Sequence, residues 1–103
     1  MRMIDAKAFT ASEAWGALDV ASIDGATVRL HWTDQPYIWH VNDGEEVFVV
    51  LDGEVDMHCR GEDGETVHRM RPGDIFHAGD GDEHVAHPVG VARVLVVERA
   101  GSV

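Results

Sequence analysis

The chain has 103 residues, 45% hydrophobic and 26% charged, a balance that excludes disorder and allows one modest core. Its 19 acidic against 8 basic residues give a formal net charge of −11, which repels polyanions and argues against nucleic acid or an anionic membrane surface as partner. The lone cysteine, Cys59, excludes an internal disulfide, and no apolar run approaches the ~18 residues of a membrane span.

The start, Met1-Arg2-Met3-Ile4-Asp5, lacks the apolar run of a signal peptide, so a cytoplasmic protein is expected. A single domain over residues 1–103 is expected, with residues 1–16 as an N-terminal arm or a short helix capped near Thr10 or Ser12. Phe9 and Trp15 read as core or dimer-contact anchors, because large aromatics mostly supply buried area.

From Ala17 the pattern becomes strand-like. Ala17 to Ile23, an Asp24-Gly25 turn and Ala26 to Thr33 predict a hairpin. Ala26, Val28, Leu30 and Trp32 should face the core, leaving His31 with Thr27, Arg29 and Thr33 on the other face, as a solvated or pocket-rim histidine rather than a metal ligand. After Gly53, Val55, Met57 and Cys59 alternate with Glu54, Asp56, His58 and Arg60, one face buried and one wet. Cys59 therefore reads as a buried small apolar group rather than a reactive thiol, and His58 as structural or idle.

Further strands are expected over Glu65 to Met70, Ile75 to Ala78, Glu83 to Pro88 and Val91 to Glu98, with corners at Gly61-Glu62-Asp63-Gly64, Arg71-Pro72-Gly73-Asp74 and Gly79-Asp80-Gly81-Asp82. Val91 to Val97 is apolar on both faces and should be the most buried strand. About nine short strands and no long helix predict an all-β chain, an antiparallel jelly-roll barrel that protects its own edges.

The densest chemistry lies in Trp39-His40-Val41-Asn42-Asp43-Gly44-Glu45-Glu46-Val47-Phe48-Val49-Val50-Leu51-Asp52-Gly53. It reads as two strands joined by an Asp43-Gly44 turn and closed by an Asp52-Gly53 turn. His40 and Asn42 share one face, and Glu46 points with Phe48 and Val50. No phosphate loop or nucleophile elbow appears, and Ser12, Ser22 and Ser102 have no setting that would make a catalytic triad.

This stretch resembles the first motif of the cupin superfamily, G-x5-H-x-H-x3-4-E-x6-G. His40, Glu46 and Gly53 match, Asp34 stands at the opening Gly, and Asn42 stands where the second His would be. Gly73 to Pro88 resembles the second motif, G-x5-P-x-G-x2-H-x3-N, through Gly73, Gly81 and His84, with Gly79 in place of Pro and Pro88 in place of Asn. The resemblance implies a double-stranded β-helix and a homodimer. It also implies a pocket where His40, Glu46 and His84 hold a divalent metal ion, with iron, manganese, nickel and zinc not distinguished. Two imidazoles and a carboxylate form the facial set of non-haem iron sites, and Asn42 becomes a weak ligand or a group orienting water or Glu46.

Two functional readings stand beside each other. One is a metalloenzyme of the dioxygenase or isomerase kind acting on a small organic molecule; the other is a non-catalytic, metal-free module or sensor binding a small metabolite. His77, close to the Gly79 loop, is an outside candidate for an acid/base group if a bulge turns it inward. His87, three residues from His84, should face the opposite way, towards the surface or a dimer partner. Asp43, Glu45, Asp80, Asp82 and Glu83 read as a solvated acidic rim.

Overall fold

A computed structural model describes residues 1–102. Seven strands follow a 3-10 turn at Ala6–Ala8: β1 (Gly16–Ile23), β2 (Ala26–Thr33), β3 (His40–Val41), β4 (Glu46–Gly61), β5 (Gly64–Met70), β6 (Ile75–Ala78) and β7 (Glu83–Arg99). All pair antiparallel in the order β1-β2-β7-β4-β5, with β3 added to β7 and β6 to β4. The result is the expected jelly-roll type of barrel. No helix among the described residues is long and apolar enough to cross a membrane.

The strands number seven, not nine, because two of them are long and bent. Gly53, expected to close a turn, lies inside β4, where the register against β7 shifts between Val50 and Asp52 and again between Asp52 and Glu54. Its φ of +77° is one that favours glycine, and a Cβ there would meet the Val91 carbonyl oxygen at 2.3 Å. This bulge also changes parity. Before it Glu46, Phe48 and Val50 point inward; after it Val55 and Met57 do, and these apolar residues join Met70, Ala86, Ala92, Val94 and Val96 in one core cluster.

The expected hairpin across Asp43-Gly44 does not form. Gly44 does turn the chain, with φ +86°, but β3 pairs with β7, His40 opposite His84 and Val41 opposite Glu83. The backbone of Asn42 is tied to the loop before β7, its N–H donating to Asp82 O (2.8 Å) and its carbonyl accepting from Gly81 N (2.9 Å).

The inner face of β2 is the reverse of the expected one. His31 stands opposite Val94 and Thr33 opposite Ala92, and both of those partners are fully buried in the core cluster. Directly opposed residues share a face, so His31 looks into the barrel while Leu30 is buried on the other side. Val91 to Val97 is likewise buried on one face only: Ala92, Val94 and Val96 are inside, Leu95 and Val97 are half-buried, and Val91 is exposed. At the N-terminus Asp5, not Thr10 or Ser12, caps the short helix, and the arm is held to the barrel by Arg93, which donates to Phe9 O and Asp52 Oδ2, each at 2.7 Å.

Candidate metal centre and its cavity

Three elements deliver the cluster. The β3–β7 pairing sets the rings of His40 and His84 side by side, 4.3 Å between centroids, and the first residue of β4 brings in Glu46 from the neighbouring strand. Ligand atoms of His40, Glu46 and His84 all lie within 4.8 Å of one another, the one such group of three found among the described residues. His84 Nε2 is 3.1 Å and His40 Nε2 is 3.9 Å from Glu46 Oε1. Asn42 completes the set, with Oδ1 2.6 Å from His84 Nε2, while its amide nitrogen donates at 3.4 Å to Gly44 O.

Protons and partners decide what this cluster fits. A carbonyl only accepts, so His40 Nδ1, 3.1 Å from Ile38 O, carries the proton and leaves Nε2 as the lone-pair atom facing Glu46. That backbone contact is the usual way a ligating imidazole is oriented. His84 Nε2 faces two oxygens but has at most one proton, and Glu46 Oε1 and His84 Nδ1 are buried without a satisfied hydrogen bond. Orphan polar atoms of this kind cost roughly 1–3 kcal/mol each, so a cation among these donors would relieve the carboxylate. The residues present thus fit a divalent ion on donor type, burial and convergence.

Without an ion the carboxylate leans on the imidazoles. Burial works to raise the Glu46 pKa, yet attraction to the His40 and His84 imidazoles in their protonated forms outweighs it and brings the value from 4.5 to about 2. The same attraction to Glu46, seen from the other side, raises the pKa of His40 above 6.5.

A cavity of about 140 Å³ opens beside the cluster, walled by Trp15, Tyr37, Phe48 and Val96 and carrying two further polar residues, His31 and Glu98. His31 Nδ1 donates to the Trp15 carbonyl at 3.0 Å, and burial foremost lowers its pKa from 6.5. Glu98, opposite Glu46 in register, has its pKa raised chiefly by burial and then by the Glu46 charge. Trp15 enters the cavity from a strained turn. Its φ is +62°, Gly16 N bonds back to Glu13 O, and a Cβ on Gly16 would strike Ala11 Cβ at 2.3 Å. A non-glycine residue held there costs on the order of 1–3 kcal/mol, and such strain clusters at functional sites.

The structure brings His40, Asn42, Glu46 and His84 together, sets His31 in the cavity wall beside them and leaves His58, His68, His77 and His87 outside. His77 is exposed on β6 and paired with Glu45 Oε1 at 2.9 Å, so no bulge turns it inward. His87 stacks on His58, centroids 4.2 Å apart, and His58 is 3.4 Å from Glu65. His68 is exposed on β5. Cys59 is half-buried against the core, and its thiol pKa is raised by burial, as expected of an unreactive group.

Sequence reasoning missed Trp15, Tyr37 and Glu98 as lining residues. For Glu98 a signal existed: it shares parity with Val94 and Val96, so an acid on an otherwise apolar face could have been noticed. Trp15 and Tyr37 lie in irregular segments, where no periodicity points anywhere.

No protein-family model matches the chain. No curated protein matches it either. Solved structures do. A cupin-2 domain containing protein from Shewanella frigidimarina aligns with a TM-score of 0.75 at 19% identity, over 85% of this chain and 83% of that one. A cupin superfamily protein from Desulfitobacterium hafniense aligns with a TM-score of 0.77 at 15% identity, over 91% and 85%. Hydroquinone 1,2-dioxygenase, solved in complex with Fe3+, aligns with a TM-score of 0.77 at 17% identity, over 87% of this chain but 29% of that one. A match at such low identity is a likeness of architecture, and the chain accordingly has the cupin fold.

Proposed function

We propose that His40, Glu46 and His84 hold a divalent transition metal and that the chain is a small metalloenzyme, of the dioxygenase or isomerase kind, acting on a small organic molecule in the adjoining cavity. The observation that carries this reading is the convergence of two imidazoles and one carboxylate within 4.8 Å at the end of a mostly apolar cavity. The Fe3+ of the structurally similar hydroquinone dioxygenase supports it. Bound there, the ion supplies Lewis acidity and, if iron, one-electron chemistry. The chain supplies the rest: Ile38 O orients His40, Glu46 contributes the negative charge, Asn42 adds a weak oxygen ligand, and Trp15 and Tyr37 limit water.

Metal analysis and titration test the reading. Protein purified without added metal, then titrated with Fe(II), Mn(II), Ni(II) and Zn(II), should take up one ion per chain. The second reading, a metal-free binding module, draws on Asn42 and on the Glu46–His40 contact, which lets the carboxylate find a partner without an ion. Less than about one-tenth of an ion per chain after purification, with no uptake on titration, would favour it.

A homodimer and a cytoplasmic setting belong to the same proposal. Exposed Ile38, Val41, Ile75 and Val91 offer apolar surface to a second copy. Light scattering at micromolar concentration should give the mass of two chains, and a strictly monomeric mass would remove the dimer from the proposal.

A further inference from the structure

We propose that the cavity selects an uncharged molecule the size of one six-membered ring, carrying a hydroxyl that Trp15 Nε1 and His31 Nε2 read together: a phenol or a cyclic enol. The inference deepens the reading of this cavity as the ligand site, and it does not require that the metal be bound.

Size comes first. An apolar cavity of about 150 Å³ is known to take a benzene molecule, and this one is about 140 Å³. Its walls suit a flat ring. The rings of Trp15 and Tyr37 meet edge to face, 5.2 Å between centroids, with Phe48 on the β4 side.

Polarity sets the substituent. Trp15 Nε1 is buried and finds no hydrogen-bond partner, so it is a donor waiting for an oxygen. His31 is complementary. Its Nδ1 proton is committed to the Trp15 carbonyl, which leaves Nε2 of the neutral ring as a free acceptor. The two rings are 6.0 Å apart between centroids at an interplanar angle of 65°. A ligand hydroxyl placed between them would accept from the indole and donate to the imidazole.

Charge excludes the commonest alternative. Glu46 and Glu98 line the cavity, and no lysine or arginine does. In the metal-free protein a carboxylate or phosphate on the ligand would therefore meet two acids with no cationic side chain to hold it.

Phenol, toluene and benzoate, three one-ring probes, separate these terms. Each is titrated into 15N-labelled metal-free protein, and again into zinc-loaded protein, while the indole N–H signals of Trp15, Trp32 and Trp39 are followed. Phenol should move the Trp15 signal saturably and leave the other two in place, with toluene and benzoate each at least tenfold weaker. His31→Phe, which keeps a ring but removes the acceptor, should weaken phenol about tenfold and leave toluene unchanged. Toluene binding as tightly as phenol, benzoate binding more tightly to the metal-free protein, or a Trp15 signal that none of the three moves would overturn the inference. Zinc uptake, measured by calorimetry on the same samples, keeps the two readings apart: zinc without phenol sinks the ligand class alone, and phenol without zinc sinks the metal alone.

Discussion

His40 and His84 face each other across the β3–β7 pairing, directly opposite in register and with ring centroids 4.3 Å apart. Neither ring could be brought to Glu46 by its own hairpin. The site therefore exists only once β7 has closed the barrel, and its ligands come preformed with the fold.

That origin predicts how ligand variants behave. Glu46→Gln and His84→Ala should leave the strands in place and abolish metal uptake, a loss larger than the roughly 10–100-fold typical of a group that merely supports a ligand. Circular dichroism should change little, and calorimetric titration with zinc should lose its heat. Uptake equal to the parent's would move the site away from this cluster.

The titration behaviour of the metal-free protein carries a sign. Glu46 is held at about 2 against 4.5, so its contribution to stability is present above 4.5 and lost as pH falls towards 2. His40 is raised above 6.5, so its contribution is full below 6.5 and is lost as pH rises through the raised value. The two are one contact counted from both ends. With chelator present, the urea midpoint should thus be higher near pH ~5.5 than near pH ~8, and Glu46→Gln should flatten the difference. Zinc affinity should run the other way, because the ion must displace the His40 proton and so gains as pH rises.

How much of this was legible in the chain depends on what each signal shares with its alternatives. His40, Asn42, Glu46 and His84 could be read because ligand-type side chains stand at fixed offsets between apolar strand positions. Gly53 could not be placed, since a turn and a bulge both need a glycine at positive φ and differ only in where the next strand pairs. The same holds for Asp43-Gly44, which turns the chain without joining a hairpin. His31 reads as an outer-face residue because Leu30 and Trp32 outweigh Thr and Arg in the pattern. Its place at a pocket and outside the ligand set agrees with the sequence, but a barrel with a polar pocket needs such residues on its inner face. Trp15 and Glu98 become site residues only through β2 and β7, sixteen and more residues away.

The bulge at Gly53 has its own test. Gly53→Ala would force a Cβ to within 2.3 Å of the Val91 carbonyl and 3.0 Å of Ala92 Cα at a φ of +77°. Destabilisation on the order of 3 kcal/mol is expected, from strain and clash together. Gly61→Ala serves as the control, with nothing within 4 Å of its Cβ, and should stay within about 0.5 kcal/mol of the parent. Equal denaturation midpoints for the two variants would mean that β4 does not bend at Gly53.

Asn42 is the ligand position at which this chain departs from the motif it resembles, and its Oδ1 stands 2.6 Å from His84 Nε2. Asn42→His replaces a neutral amide oxygen with an imidazole nitrogen on a backbone already tied to Gly81 and Asp82. Imidazole is the better donor for zinc and nickel, so their affinity should rise at least about tenfold, or ~1.4 kcal/mol. Any turnover should fall at the same time, because a fourth protein ligand takes a position the ligand molecule would use. The larger ring must fit a site where Asn42 is only 8% exposed, so a thermal scan of the metal-free variant accompanies the titration and separates crowding from coordination. Equal metal affinity in a variant as stable as the parent would mean that residue 42 does not reach the ion.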